Sequence, residues 1–451
     1  MPITIPSYAL AVVERLERYG FEAYVVGGCV RDSLMGRVPQ DWDVCTNALP
    51  EEVLRVFRRF HVIKTGLQHG TVTVMSEQQP VEVTTYRVDG EYTDNRHPDA
   101  VHFVSRVEED LSRRDFTINA MAYSPTRGLV DAFDGRQDLA AGLIRCVGEA
   151  DARFNEDGLR LLRALRFASR FGFGIERETA FAIHRNRHLL ENVSAERIFK
   201  ELKGILAGEG IAQMMLAFPD VFSVIIPELA PSIGFQQCNP HHCYDVWTHL
   251  AHAVQAAPAG DDVLRLTLLL HDVQKPACFR MGEDGRGHFR GHAAAGAEVA
   301  RSVLRRLKSD NATMEDVVAL VRVHDDAMPT TPAGMRRLVG RLGLQNVQRL
   351  LLVKRADCSA QSSYKQEEKF RLLRESHLLL EEVLEAAPAF TIKDLSINGR
   401  DLMQLGMQPG PAMRNILERL LAEVQEETLP NTRDALLPQA RKYLSADESS
   451  L

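Results

Sequence analysis

A chain of 451 residues has room for two to four domains, and its 45% hydrophobic and 25% charged content is that of an ordinary globular protein. No apolar run is long enough for a membrane span, and Met1-Pro2-Ile3-Thr4-Ile5-Pro6 lacks the regions of a signal peptide. Seven cysteines without a CxxC pair read as free thiols in a reducing cytoplasm, and a net charge of −7 leaves room only for a local basic footprint.

In chain order, apolar residues at helical spacing predict a helix over 7–18, ended by Tyr19-Gly20. Glu22 to Val26 reads as a short buried strand running into Gly27-Gly28-Cys29-Val30-Arg31-Asp32. Glycines there let backbone N–H groups approach a phosphate, and a helix starting near Arg31 offers its positive end. If Asp41-Trp42-Asp43 lies on a strand, its period of two puts both carboxylates on one face, where they repel unless a cation such as Mg²⁺ sits between them. A helix starts around Pro50. Strands follow at His61 to Thr65, Thr71 to Met75 and Val81 to Tyr86, with Ser76 to Pro80 as a turn. Glu82 sits in the last, otherwise apolar strand, where a carboxylate is costly unless it is compensated or faces solvent.

From Glu149 to Leu229 the pattern is helical throughout, and again after Pro240, with Pro227, Pro231, Gly234 and Pro240 marking the boundary. Arginines crowd the stretch from Arg153 to Arg197 and supply the local basic footprint. Asp157, Arg160 and Arg163, spaced by three, are expected on one helix face. Asp157 offers acceptors and Arg160 donors. Such a pair accepts the Watson–Crick edges of cytosine and adenine and leaves polar groups unpaired against uracil and guanine.

The segments Gly27 to Asp32, Asp41 to Val44, Leu111-Ser112-Arg113-Arg114-Asp115-Phe116-Thr117-Ile118-Asn119-Ala120-Met121-Ala122, Asp134 to Leu139, Glu156 to Phe167 and Ser194-Ala195-Glu196-Arg197 together resemble the bacterial class II CCA-adding tRNA nucleotidyltransferase and poly(A) polymerase family. The resemblance implies an α+β fold: a polymerase-β-like head over 1–145, a helical neck over 146–230, a helical body over 240–385 and a tail over 386–451. It implies Asp41, Asp43 and Glu82 as catalytic acids, the first two holding Mg²⁺. Gly28, Arg31 and Arg114 would contact nucleotide, Asp157 and Arg160 would select the base, and Arg163 and Arg166 would assist at the phosphates. Its partners would be tRNA, CTP and ATP, without a membrane; no oligomeric state follows. The polar stretch Asp89 to Pro98 resembles the loop that such enzymes use to change from C to A.

His249, His271-Asp272, His292, His324 and Asp357 form a second pattern, centred on Leu268-Leu269-Leu270-His271-Asp272-Val273-Gln274-Lys275. It resembles the HD phosphohydrolases, although Gln274 stands where such families often carry glycine. This implies a site for a divalent transition metal or Mg²⁺. The closing acid is Asp357 or Asp325, with Asp357 favoured because His324-Asp325 resembles the extra histidine motif of two-metal members. The leading function is template-independent addition of C, C and A to tRNA. The alternatives are a poly(A) polymerase, an enzyme adding only CC or only A, or an HD phosphohydrolase whose head binds RNA.

Overall fold

The structure is a computed structural model, and it describes residues 3–90, 101–386 and 389–448. The loop residues 91–98, expected to govern the change from C to A, lie outside the described residues. The chain forms two compact units, Met1–Ala230 and Pro231–Leu451.

The first unit is built on a seven-stranded sheet in the order β3-β4-β5-β2-β1-β8-β9. Its strands are β1 (Ala23–Val26), β2 (Val44–Thr46), β3 (Val62–Ile63), β4 (Thr71–Ser76) and β5 (Gln79–Thr85), then β8 (Ala122–Ser124) and β9 (Gly128–Val130). The short strands β6 (Arg87–Asp89) and β7 (Val101–Phe103) pair separately. Only β2 and β5 pair in parallel; the other ladders of the large sheet are antiparallel. Helix Ser7–Arg18, at the expected bounds, buries Ala9, Val12, Val13 and Leu16 with Val25, Val44, Val74 and Val83. Each aliphatic side chain of Val or Leu size removed from water there contributes roughly 1.5–3 kcal/mol. The alternate residues Tyr24, Val26 and Cys45 pack on the opposite face with Tyr86 and Leu111.

Several expectations need correction. Asp41 to Asp43 are not in a strand; they lead into β2, although Asp43 O still accepts from Val26 N at 3.0 Å. The turn between β4 and β5 is only Glu77 and Gln78, both at positive φ, so Gln79 and Pro80 already belong to the strand. The region from Glu149 onward is not wholly helical: β11 (Gly174–Ile175) pairs in parallel with β10 (Leu143–Ile144). A segment of two paired residues is too short to show periodicity.

The largest departure is at Asp157. Helix Ala150–Glu156 ends there and a second helix, Leu159–Phe171, begins two residues on. Asp157 is extended, with φ −145° and ψ 105°, and its Oδ1 accepts from Leu159 N at 3.0 Å. This local side-chain bond competes with a continuous helix. A Cβ on Gly158 would stand 3.0 Å from Leu189 O, so a side chain there would have to push Leu189 aside.

In the second unit, helices Val246–Ala256, Asp262–Leu270, His292–Arg306, Asn311–Val323 and Leu344–Ser359 pack together. The hairpin of β12 (Arg280–Met281) and β13 (Gly287–His288) again interrupts a region read as helical. Helix Gln366–Glu385 packs on Leu344–Ser359 but buries only Ser376, Leu380 and Val383. Helices Gly399–Gln404, Pro411–Gln425 and Arg433–Glu448 close a separate core around Leu402, Ile416, Leu420 and Leu436. Among the described residues, no helix is long and apolar enough to cross a membrane.

Candidate active site

Backbone alternation gathers the acids of the first unit. Trp42 is buried with the core beneath helix Ser7–Arg18, while Asp41 and Asp43 on either side of it are exposed. The parallel register pairs Val44 with Val83, which brings Glu82 beside Asp43. Glu82 is exposed between buried Val81 and Val83, and β5 is an interior strand rather than an edge. The Asp43 carboxyl is pushed up to about 6, by the protein crowded around it and then by Glu82, with a smaller push from Asp41 and relief from Arg114. Mutual repulsion among hard oxygen donors fits a divalent cation of the magnesium type.

Arg114 is the cation facing these acids. Gly27, at φ +80°, leaves space for it: a Cβ there would lie 2.7 Å from Arg114 Nη1. Arg114 Nη2 is 3.6 Å from Asp110 Oδ2, and its buried Nε has no hydrogen-bond partner. Gly28, expected at the nucleotide, lies next in the chain, where a Cβ would stand 3.6 Å from Arg31 Nη2. The conformation needed at Gly27 was not visible in a glycine pair.

The remaining arginines are more committed. Arg31 is buried, donates to Asn119 Oδ1 at 2.6 Å and to Asp32 Oδ1 at 2.8 Å, and lies over the Phe167 and Phe171 rings. Arg163 donates to Asp115 Oδ2 through Nε at 2.8 Å and Nη2 at 2.6 Å. Asp115 also accepts from Asn119 Nδ2 at 3.0 Å and Phe116 N at 2.8 Å. Burial alone would raise the Asp115 carboxyl, but Arg163 and these donors bring it down to about 2. Arg166 donates to Glu201 Oε2 at 2.5 Å and stacks on Phe167.

Asp157 and Arg160 do not pair with each other. Asp157 Oδ2 accepts from Arg197 Nη2 at 2.7 Å, whereas Arg160 reaches Glu156 and the carbonyls of Arg153 and Arg113. The expectation that Asp157, Arg160 and Arg163 share one helix face is overturned by the helix break. The Arg197 pairing spans 40 residues, and no local periodicity reveals it.

In the second unit, helix ends aim the imidazoles inward. His271 follows helix Asp262–Leu270 and donates from Nδ1 to Leu268 O at 2.8 Å; His324 follows Asn311–Val323 and uses Val321 O at 2.7 Å. The last carbonyls of a helix lack internal partners, so each bond satisfies one and turns Nε2 inward. His292 uses Phe289 O at 2.7 Å and His249 uses Ala360 O at 3.2 Å. Bonding Nδ1 to a carbonyl leaves Nε2 as the ligand atom, as metal sites require.

Asp272 joins two ligand groups, His249–His271–Asp272–Asp357 and Asp272–His292–His324. Its Oδ2 stands 3.4 Å from His249 Nε2 and 3.3 Å from His271 Nε2, and its Oδ1 stands 3.3 Å from His292 Nε2 and 3.4 Å from His324 Nε2. Asp357 Oδ1 is 3.0 Å from His249 Nε2, so Asp357 belongs to the cluster and Asp325 does not. Both Asp272 oxygens are buried without a well-formed hydrogen bond, though Lys275 Nζ is 2.5 Å from Oδ2. Burial opposes charge on His271, yet Asp272 and Asp357 raise it to about 10. Mixed imidazole and carboxylate donors, with orphaned buried oxygens at their centre, fit one or two divalent cations. Lys275 is a neighbour that the sequence signals only through its i,i+3 spacing from Asp272.

This acid-faced sheet, with Arg114 beside it, defines a nucleotidyltransferase head, and residues 23–145 match the family model described as the poly A polymerase head domain. Residues 172–233 match the probable RNA and SrmB-binding site of polymerase A, and 292–440 the putative tRNA nucleotidyltransferase domain 2. A CCA-adding enzyme of Geobacillus kaustophilus is 33% identical over 430 residues, 95% of each chain. One from Enterococcus faecalis is 33% identical over 99% of each. The crystal structure of the Bacillus stearothermophilus CCA-adding enzyme in complex with CTP matches at 26% identity with a TM-score of 0.73, covering 99% of this chain and all of that one. The chain belongs to the CCA-adding enzyme family.

Proposed function

We propose that the first unit adds C, C and A to the 3′ end of tRNA from CTP and ATP without a template. The observation that carries this is the common face of Asp41, Asp43 and Glu82 opposite Arg114 and the Gly27 turn. Family membership supports the substrates, as does the CTP complex of the Bacillus relative. Arg114, beside the acid face, would bind the triphosphate, and the backbone amide of Gly28 would lie against it. The primer 3′ oxygen then attacks the α-phosphorus, the bond to pyrophosphate breaks, and the hydroxyl proton leaves to solvent. Mg²⁺ held by Asp41 and Asp43 would supply neutralising charge for the triphosphate and acidify the hydroxyl. Asp115 fixes Arg163, whose remaining donor capacity would serve developing negative charge. Asp157 would read the base edge once the nucleotide competes with Arg197. Incorporation of labelled CTP into a tRNA lacking its CCA end, dependent on Mg²⁺ and lost in EDTA, tests this reading.

A second reading is favoured by the paired ligand groups around Asp272: a metal-dependent phosphohydrolase activity in the second unit. The bound cations would supply positive charge to a phosphate ester and a source of activated water. Lys275 and Arg290, which line the adjoining cavity, would hold the phosphate oxygens. The seven free cysteines accord with work in the cytoplasm.

A further inference from the structure

Two cavities meet at the ligand cluster of the second unit. The smaller, about 240 Å³, is lined by Asp272, His292, Lys275 and Arg290. The larger, about 740 Å³, is walled by the segment 326–330 and by helix Gln366–Glu385. Its apolar surface comes from Met328, Pro329, Leu372, Leu373 and Leu379. His324, Asp325, Asp357 and Gln361 line both, so the larger chamber opens onto the ligand cluster.

The shared border is held in place. Gln361 Nε2 donates to both oxygens of Asp357 at 3.0 Å, and Lys369 donates to Gln361 Oε1. The two chambers differ in chemistry as the two halves of a phosphate ester do. A phosphoryl group is small and anionic and suits the cavity bearing Lys275 and Arg290. The larger volume falls within the roughly 300–1,000 Å³ of sites that enclose small organic ligands. Lys354, Lys369 and Glu375 also line it, but a polar alcohol lying against the leucine wall would leave hydroxyls facing apolar side chains, at a cost that an apolar ring system avoids.

Resting on the phosphohydrolase reading, we propose that the larger chamber holds the alcohol portion of the substrate, so that the site selects phosphate monoesters of bulky, apolar-faced alcohols over small polar ones. In the reaction a water oxygen bonds to phosphorus and the ester P–O bond breaks. The leaving oxygen takes up a proton, giving inorganic phosphate and the alcohol. Helix Gln366–Glu385 is then the specificity element.

The test compares 1-naphthyl phosphate with glycerol phosphate on the full-length, manganese-loaded protein. Titration calorimetry with 1-naphthylphosphonate and methylphosphonate reads binding without turnover. Two variants alter the chamber. Leu379→Trp fills it, and Leu372→Glu charges a side chain that is already 46% exposed and so tolerates the change. The naphthyl ester is expected to be favoured by about tenfold or more in kcat/KM, with a matching preference in phosphonate binding. Both variants should erase the preference without lowering bound manganese. Equal use of both esters, or a preference that neither variant moves, overturns the inference and leaves the phosphohydrolase reading standing. Hydrolysis of neither ester overturns both.

Discussion

Arg197 Nη2 donates to Asp157 Oδ2 at 2.7 Å, tying the break between helices Ala150–Glu156 and Leu159–Phe171 to the first turn of helix Ala195–Leu206. The residue expected to read a base edge is thus held by an arginine of a third helix. A base read by Asp157 would have to compete with that arginine.

Asp157→Ala is expected to relax base choice, admitting U or G in place of C or A, because the acceptor edge is gone. A bidentate base contact is worth roughly 1–3 kcal/mol, so discrimination should fall by about tenfold or more. Misincorporation measured with each NTP singly checks this. Unchanged selectivity at an undiminished rate would remove Asp157 from the reading of the base. Arg197→Ala should instead lower stability by about 1 kcal/mol, as loss of a half-buried ion pair does, while the preference for C and A persists.

Asp43→Asn removes a charge from the acid face and leaves the side-chain volume in place. Incorporation is expected to fall by at least about 100-fold, with tRNA binding and the melting curve nearly unchanged. Glu82→Gln should show a smaller loss in the same assay. Near-normal incorporation by the Asp43 variant at saturating Mg²⁺ would contradict the placement of the cation.

Asp115 gives a pH signature. Its carboxyl is held at about 2 against an ordinary 3.8, so the stability it contributes is fully present above about 4 and is lost as pH falls toward 2. The linkage amounts to roughly 2 kcal/mol. Denaturant unfolding at pH 6 and pH 3 should show a steeper loss for the wild type than for Asp115→Asn. Parallel losses would show that the Arg163 pair contributes little.

The second unit should be separable from the first. Asp272→Asn is expected to lower bound manganese, measured by elemental analysis after dialysis, because both ligand groups share that carboxylate. CCA addition should stay within about twofold of wild type, since the two sites are built in separate compact units. Undiminished metal content would show that Asp272 is not a ligand.

Much of this was legible from the sequence. Helix Ser7–Arg18 announces itself through apolar spacing, and the alternation around Trp42 places Asp41 and Asp43 on one side even though neither is in a strand. The six residues expected as metal ligands in the second unit do assemble into the two groups around Asp272. What stayed hidden depends on contacts between distant parts of the chain. At the break, Gly158 lies against Leu189, 31 residues on, and β10 and β11 exist only because they pair. Likewise, nothing local shows that Arg31, Arg163 and Arg166 spend their donors on Asn119, Asp115 and Glu201.

The most direct test of the account is to sequence the 3′ ends of a tRNA lacking CCA after incubation with the purified protein and Mg²⁺. CTP alone should yield two added C residues and then stop. CTP with ATP should yield CCA and no further extension, and UTP and GTP should add nothing. Long adenylate tails, addition of A directly to the shortened tRNA, or arrest at CC with ATP present would contradict it.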